Sequence, residues 1–405
     1  GFRRAGGKSK RLLRQALKLA GKADTVVLCL GLDEDKESEG CDRTDLNINR
    51  NQIDLLKAIH KLGKKTVVVL SCGSSVLTDW DEFCDGLLLA HLGGQSGARA
   101  AVAALWGWVN PSGRLAETYP LKQGDEPCAA LYAESPLKSD YAEGIYVGYK
   151  YFGTFGVPVK YPFGYGLSYT SFEYGGFEIS ADGVRCRVTN TGTRDGATVV
   201  QVYVKAPRPE LENSPFELKA FEKVFLKAGE TKNVSVPFDK YAFRVWNAEN
   251  HRFEAGGVYA VSINTDSLRA LYSAQVEITR DNLPEGCEYA ENTVCTGGGL
   301  SYKEYFDRRI SPDECAYEPC KGMKATLDTV VADLVYCKGL VAKIFGTIAR
   351  ISKRSKDKIR SVALDWLSVR SLLQFMNLND VQAEGFLMTC NGHFFKGLKK
   401  LLFKN

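Results

Sequence analysis

What the chain lacks narrows it first. No apolar run approaches the roughly 20 residues that cross a bilayer. The first residues lack the charged, apolar and small-residue order of a secretory leader. Histidine is scarce: His60, His91, His251 and His393 lie far apart, and none forms an HxxxH pair with a carboxylate. That spacing argues against a metal centre. The twelve cysteines contain no CxxC pair, which speaks against zinc ribbons and dithiol redox motifs. No GxGxxG follows a strand and no GxxxxGKS/T phosphate loop occurs, so nucleotide chemistry is not expected. A serine nucleophile would want a GxSxG elbow, and "SCGSSVL" is only a distant look-alike.

What is present is an ordinary globular composition: 405 residues, 44% hydrophobic and 25% charged. That length suits two or three domains. The net charge of +5 sits largely in "GFRRAGGKSKRLLR" and "RISKRSKDKIR", too mild and too local to predict a nucleic-acid partner. Cys29, Cys72 and Cys186 fall inside strand-like runs and read as buried free thiols. Cys315 and Cys320 are close enough to bridge but are expected reduced, and the cytoplasm is the expected compartment. The start at Gly1 reads as a processed terminus or the cut end of a fragment.

Periodicity divides the chain into three. Helices are predicted over 9–22, 50–63 and 96–107, and buried strands over 24–32, 65–73 and 84–94. Strands and helices alternating over short loops imply parallel βαβ units, with a sheet covered on both faces. A Gly-, Pro- and Tyr-rich connection then completes a first domain, 1–172. Over 173–280 the period falls to two, and short alternating strands between turn residues predict a β-sandwich. The remainder, 281–405, reads as partly helical, with helices over 326–351 and 369–379. It ends on the basic amphipathic stretch "NGHFFKGLKKLLFKN". For that stretch, packing on its own protein is expected ahead of a membrane-surface role, and no membrane partner is predicted. The fold class is thus α/β, followed by an all-β sandwich and a partly helical tail.

With metals, nucleotides and serine chemistry set aside, carboxylates remain. "ESEGCDRTDL", residues 37–46, follows the first strand, where α/β proteins place functional loops. Glu39 stands between Ser38 and Gly40, free to present its carboxyl to a cleft, with Asp42 and Arg43 able to pair and fix the loop. From the residues alone, an exposed turn and one half of an acid/base pair both stay open.

Longer motifs carry more. In order, "LGLDEDKESEGCDRTDLNINRNQIDLL", "GGQSGARAAVAALWGWVNPSGRLAETYP", "YAEGIYVGYKYFGTFGVPVKYPFGYGLSYTSFEY" and "ELKAFEKVFLKAGET" resemble the C-terminal half of glycoside hydrolase family 3, in particular bacterial β-glucosidases. The likeness covers residues 9–280. It implies an α/β sandwich domain, then a fibronectin type III-like domain. It also implies retaining, exo-acting hydrolysis of β-glucosides without cofactor or metal. The S-E-G-x-D-R motif places the general acid/base at Glu39, with Glu37 as rival and Asp42 and Arg43 positioning the loop. The family's nucleophile is an aspartate on a preceding (β/α)8 barrel. A barrel needs at least about 200 residues, and none is present here. The resemblance therefore implies a partner barrel chain or a longer precursor.

Other residues have more modest expectations. "TDWDEF" (78–83) superficially matches the barrel's nucleophile motif, but Asp79 and Asp81 are expected to be solvated. Glu143 is a candidate sugar contact, while Tyr146, Tyr149 and Tyr151 are expected to clamp the connection to the α/β domain. Arg114 and Glu117 are expected to be structural partners, and "APRPELENSPFELKAF" a polar loop reaching out from the sandwich. Gly153 and Trp108 depart from the family pattern. A β-xyloside or α-arabinoside fits the substrate expectation as well as a β-glucoside. The competing class is a non-catalytic carbohydrate-binding or structural remnant.

Overall fold

The structure is a computed structural model that describes residues 2–3, 7–34, 36–38, 43–129, 140–208, 210–290, 299–310, 319–353 and 367–402. It forms two units, one of residues 1–31, 45–130 and 141–310, the other of residues 32–44, 131–140 and 311–405.

The first unit opens with α1 (Lys10–Ala20), β1 (Thr25–Gly31), α2 (Arg50–His60), β2 (Lys65–Ser71), β3 (Gly86–Leu89) and α3 (Gly97–Leu105). The three strands form a parallel sheet in the order β1-β2-β3, with Val27 opposite Val67 and Val69 opposite Leu88. α2 buries Ile53, Leu55, Leu56 and Ile59, the helical face its spacing predicts. Leu28, Leu30, Val68 and Leu70 form the buried face of the sheet.

Among the described residues the expected two-sided burial is incomplete: on the second face Val69 of β2 is 7% exposed, but the strands around it are less covered. On β1 burial alternates, leaving Val27 42% accessible and Cys29 exposed. Val67 and Leu88 on the same face are half-buried. α3 buries only Ala104 and leaves Val102 exposed, as are Trp106, Trp108 and Val109 after it. Apolarity alone put Cys29 among the buried thiols, but burial also requires an element stacked on that face. Cys72 and Cys186 are buried as expected.

The connection folds into a two-stranded sheet of β4 (Tyr119–Pro120) and β5 (Val159–Tyr161), with α4 (Tyr149–Phe155) between them in sequence. A sandwich follows. One sheet has the order β10-β7-β6 and the other β14-β13-β8-β9. Their ranges are β6 (Phe172–Ile179), β7 (Gly183–Asn190), β8 (Gly196–Lys205), β9 (Phe216–Leu226), β10 (Thr231–Pro237), β13 (Gly257–Asp266) and β14 (Arg269–Ile278). Between β10 and β13 lie the short strands β11 (Val245–Asn247) and β12 (Arg252–Ala255). Alternate residues of β7 (Val184, Cys186, Val188) meet Val200, Val202 and Val204 of β8 and Val261 and Ile263 of β13 in one core. This is the inward and outward alternation of packed sheets.

After β14, β15 (Glu288–Tyr289) pairs with β12, and α5 (Tyr302–Asp307) is closed at its start by a Ser301–Glu304 capping box. The loop expected to reach out from the sandwich is tied down instead. Leu211 is buried and bridges to Leu300, and the carbonyl of Asn213 accepts the Tyr146 hydroxyl at 2.5 Å.

The second unit is helical where described: a 3-10 turn (Val331–Tyr336), α6 (Leu340–Lys353), α7 (Val369–Phe375), α8 (Asp380–Cys390) and α9 (Phe394–Leu402). Of the single helix predicted over 326–351, only the part from Leu340 is α-helical: 326–330 is turn and bridge, 331–336 the 3-10 turn, and the chain breaks around Gly339. A side chain there would stand 2.2 Å from the Thr389 carbonyl oxygen, so the chain breaks its helix where it meets the end of α8. α8 and α9 form a close-packed hairpin. A Cβ on Gly397 would lie 2.4 Å from the carbonyl oxygen of Gly385. The basic C-terminal stretch is therefore a helix packed on its own unit, as expected.

Candidate functional site

The acidic loop is anchored on both sides. β1 ends at Gly31, whose amide and carbonyl are both held at 2.8 Å by the buried side chain of Gln52. Gly31 must lack a side chain, because a Cβ would meet the Ser71 carbonyl oxygen at 2.1 Å. Past the loop, the Asp45 carboxylate accepts the Asn47 amide at 2.7 Å, and Ile48 is 1% exposed. Inside the loop, the Asp33 carbonyl accepts the amides of Lys36 (3.0 Å) and Glu37 (2.9 Å) in a tight turn. Glu37 and Arg43 are half-buried. Glu39 and Asp42 lie outside the described residues.

Glu143 belongs to the first unit, in the turn from Tyr141 to Tyr146. Its side chain is half-buried, and its Oε2 is buried without a hydrogen-bond partner. Such an orphaned carboxylate oxygen is costly and calls for an explanation. Around it is an aromatic cluster in which the Tyr146 ring lies 4.9 Å from Phe155, 5.0 Å from Tyr305 and 5.7 Å from Tyr302. Burial, reinforced by neighbouring Tyr305, pushes the Tyr146 phenol up to about 12. The Cys128 thiol is raised by burial and then by the Glu143 charge. The Arg309 guanidinium sits 3.6 Å over the Tyr305 ring.

Tyr149 does clamp the connection, but onto the sandwich side, while Tyr151 packs on Phe155 and Tyr302. Tyr149 accepts the Leu218 amide of β9 at 2.9 Å and stacks on Phe163, 4.4 Å between centroids. Lys150 beside it reaches Glu217 of β9 at 2.5 Å, and Lys219 meets the other oxygen at 2.8 Å. Burial works to raise the Glu217 carboxyl, yet these two ammonium groups hold it at about 2. Arg114 donates to Thr198 of β8 at 3.1 Å and to the Gly113 carbonyl at 3.0 Å, in place of the expected Glu117.

Asp81 corrects another expectation. Its carboxylate accepts Lys160 at 2.8 Å on one oxygen and the Tyr161 hydroxyl on the other, joining the sheet domain to β5. Asp79 is exposed, as expected, and Trp80 between them is buried, with Nε1 bonded to the Leu77 carbonyl at 2.9 Å. Sequence offered no signal for the Asp81 contact, since its partners lie about 80 positions away. Among the described residues no group of three or more His, Cys, Asp or Glu side chains is arranged to hold a metal. A groove of about 330 Å³ lies between β9 and β10, lined by Leu218, Phe221, Val236 and Pro237, and contains no sequence-predicted site residue.

Comparison with known proteins places these elements. Residues 3–169 match the glycosyl hydrolase family 3 C-terminal domain and residues 198–267 the fibronectin type III-like domain. The chain is 40% identical over 288 residues to an exo-alpha-(1->6)-L-arabinopyranosidase of Bifidobacterium longum, covering 68% of this chain and 38% of that enzyme. It is 40% identical over 253 residues to thermostable beta-glucosidase B of Acetivibrio thermocellus, covering 60% of this chain and 33% of the relative. The crystal structure of the Bifidobacterium adolescentis GH3 beta-glucosidase superposes with a TM-score of 0.64 at 38% identity, over 67% of this chain and 41% of that one. The chain thus spans well under half the length of these relatives.

Proposed function

Because the chain carries the C-terminal domain of glycosyl hydrolase family 3 over residues 3–169, with a fibronectin type III-like domain over residues 198–267, we propose that it supplies the acid/base half of a retaining, exo-acting β-glucosidase-type glycosidase. The observation that carries this reading is the uncovered apolar surface of the parallel-sheet region. Val27, Val102, Trp106, Trp108 and Val109 are between 41% and 71% accessible. Side chains of this kind mark a face that another body covers. In this reading the body is a (β/α)8 barrel, from a partner chain or a longer precursor, and it carries the nucleophilic aspartate.

The chemistry assigned to Glu39 has two stages. As an acid it protonates the departing glycosidic oxygen while the barrel carboxylate attacks the anomeric carbon. As the conjugate base it then takes a proton from the water that releases the sugar. Glu37 is the rival, and Asp42 and Arg43 hold the loop. Glu143, with its orphaned oxygen among aromatic rings, is assigned a sugar contact. The proposed substrates are β-glucosides, with β-xylosides and α-arabinosides as alternatives set by the barrel pocket. The domain division at 172/173 and 280/281, a bacterial origin and a cytoplasmic location belong to the same proposal. The buried thiols of Cys186, Cys337 and Cys390, without a disulfide, support a reducing compartment.

The test is complementation. The chain is mixed with a matching barrel polypeptide and assayed on a β-glucoside with a poor leaving group, which needs acid help. Activity should appear only in the mixture, and Glu39→Gln should lower kcat/KM by about 10²- to 10⁴-fold. Equal activity in Glu39→Gln, with loss in Glu37→Gln, would move the role to Glu37. Sugar binding by calorimetry without any complemented turnover would favour the non-catalytic reading.

A further inference from the structure

We propose that the helical tail docks on an anionic lipid surface through the exposed face of α6. The tail lies beyond both matched family domains, and two independent features of it point outward.

The first feature is a helical stripe. α6 turns two apolar faces in different directions. Ala342, Gly346 and Ala349 are buried, the two alanines within the core that includes Leu334, Leu373 and Phe386. Leu340, Ile344, Ile348 and Ile351 form the other face, and they are 69%, 49%, 58% and 63% accessible. At 100° per residue these four positions fall within an arc of about 80°, a continuous strip along the helix. Water is a poor neighbour for four branched aliphatic side chains in a row, so the strip is built to be covered.

The second feature is charge. From residue 319 to the end there are 15 Lys and Arg against 6 Asp and Glu, a net charge of +9. The whole chain carries only +5, so the preceding 318 residues are net −4. The basic surplus therefore belongs to the tail and not to the protein at large. Lys343 is exposed beside the strip, and the sequence after it, "KRSKDKIR" (353–360), is strongly basic. α9 repeats the combination, with Phe395 84% and Leu402 67% accessible and exposed Lys396 and Lys399 on the same helix.

An apolar strip with an exposed lysine beside it, on a strongly basic tail, is the pattern of a helix lying in a lipid interface. The aliphatic side chains enter the acyl boundary while the cations meet phosphate headgroups. Nucleic acid would use the charge but leave Leu340, Ile344, Ile348 and Ile351 in water. A purely apolar protein groove would use the strip but give the +9 no role. An anionic bilayer surface uses both.

Flotation of the full chain with vesicles tests this. The probes are phosphatidylcholine alone and phosphatidylcholine mixed with phosphatidylglycerol. Binding is expected to the mixed vesicles only, weakening as salt is raised. Ile344→Asp with Ile348→Asp should reduce it at least about 10-fold, since two aliphatic contacts are removed. Lys343→Glu with Lys399→Glu leaves the strip intact and should also weaken binding, so the charge is tested without altering the apolar face. Far-UV circular dichroism confirms that each variant retains its helices. Equal binding to neutral vesicles, no binding to either kind, or mixed-vesicle binding unchanged in both variants would overturn the proposal. Absence of vesicle binding together with self-association that Ile344→Asp abolishes would assign the strip to a second copy of the chain instead.

Discussion

β8 of the sandwich and β1 of the parallel sheet are both apolar strands, and the molecule treats them differently. Along β8 nearly every residue is buried: Val200 and Val202 have no exposure and Val204 has 1%. Along β1 only alternate residues are buried, and Val27 remains 42% accessible. The sandwich's second sheet covers the β8 face of Val200, Val202 and Val204. The connection covers the other face, with Gly164 against Gln201 and Tyr149 against Tyr203, so both faces are matched from within the chain. The parallel sheet has α2 on one face and, among the described residues, covers Val69 at the centre of the other while leaving its β1 edge open at Val27 and Cys29. An apolar sequence thus reports that a strand was meant for an interior, and not whether this chain provides that interior.

Four measurements would break or sharpen the contrast. The largest effect belongs to the closed core. Ile263→Ala, at a site with 0% exposure, should cost about 2–5 kcal/mol in denaturant unfolding through lost burial and the cavity left behind. A cost under about 1 kcal/mol would mean that the sandwich core is looser than its burial implies.

Next is the seam between the connection and β9. The Glu217 carboxyl is depressed to about 2 in the folded chain, so its pair with Lys150 and Lys219 stabilises fully above the ordinary carboxylate range. That contribution drains away as pH falls from about 4.5 toward 2, because the unfolded state takes up the proton first. Allowing for partial exposure, it is worth about 2 kcal/mol. Glu217→Gln should remove this part of the acid dependence in a pH series of unfolding curves. An unchanged slope would place the acid sensitivity elsewhere.

Smaller still is the seam on the sheet side. Asp81→Asn keeps the shape but removes the charge facing Lys160 and Tyr161. A loss of about 1 kcal/mol is expected, together with faster amide hydrogen exchange in β5 but not in β8. The smallest effect tests the open face directly. Val27→Ser should change the stability of the chain by no more than about 0.5 kcal/mol. The same substitution should weaken association with a complementing barrel. A large cost in the chain alone would show that the face is already covered.

Much of this was legible in residues. The 3.6-residue spacing of Ile53, Leu56 and Ile59 identified α2, and the two-residue alternation of Val184, Cys186 and Val188 identified a sandwich strand. The S-E-G-x-D-R motif picked out Glu39 and Asp42, and both lie outside the described residues. Glu37 and Arg43 are half-buried on a loop whose ends are held by Gln52 and Asp45. Illegible were contacts between residues far apart in the chain. Asp81 was taken for a solvated carboxylate because its partners, Lys160 and Tyr161, are brought to it only by the fold. The break at Gly339 was missed for the same reason, since what forbids a side chain there is the distant carbonyl of Thr389.

Sequence by itself determined most of the strands and helices and which of their faces are apolar, because these depend on period and composition within a few residues. Tertiary structure alone decided which apolar faces are covered, which carboxylates are paired and which, such as Glu126 and Glu143, are left with an orphaned oxygen. Burial and pairing are properties of neighbours, and neighbours are assigned only when the chain has folded.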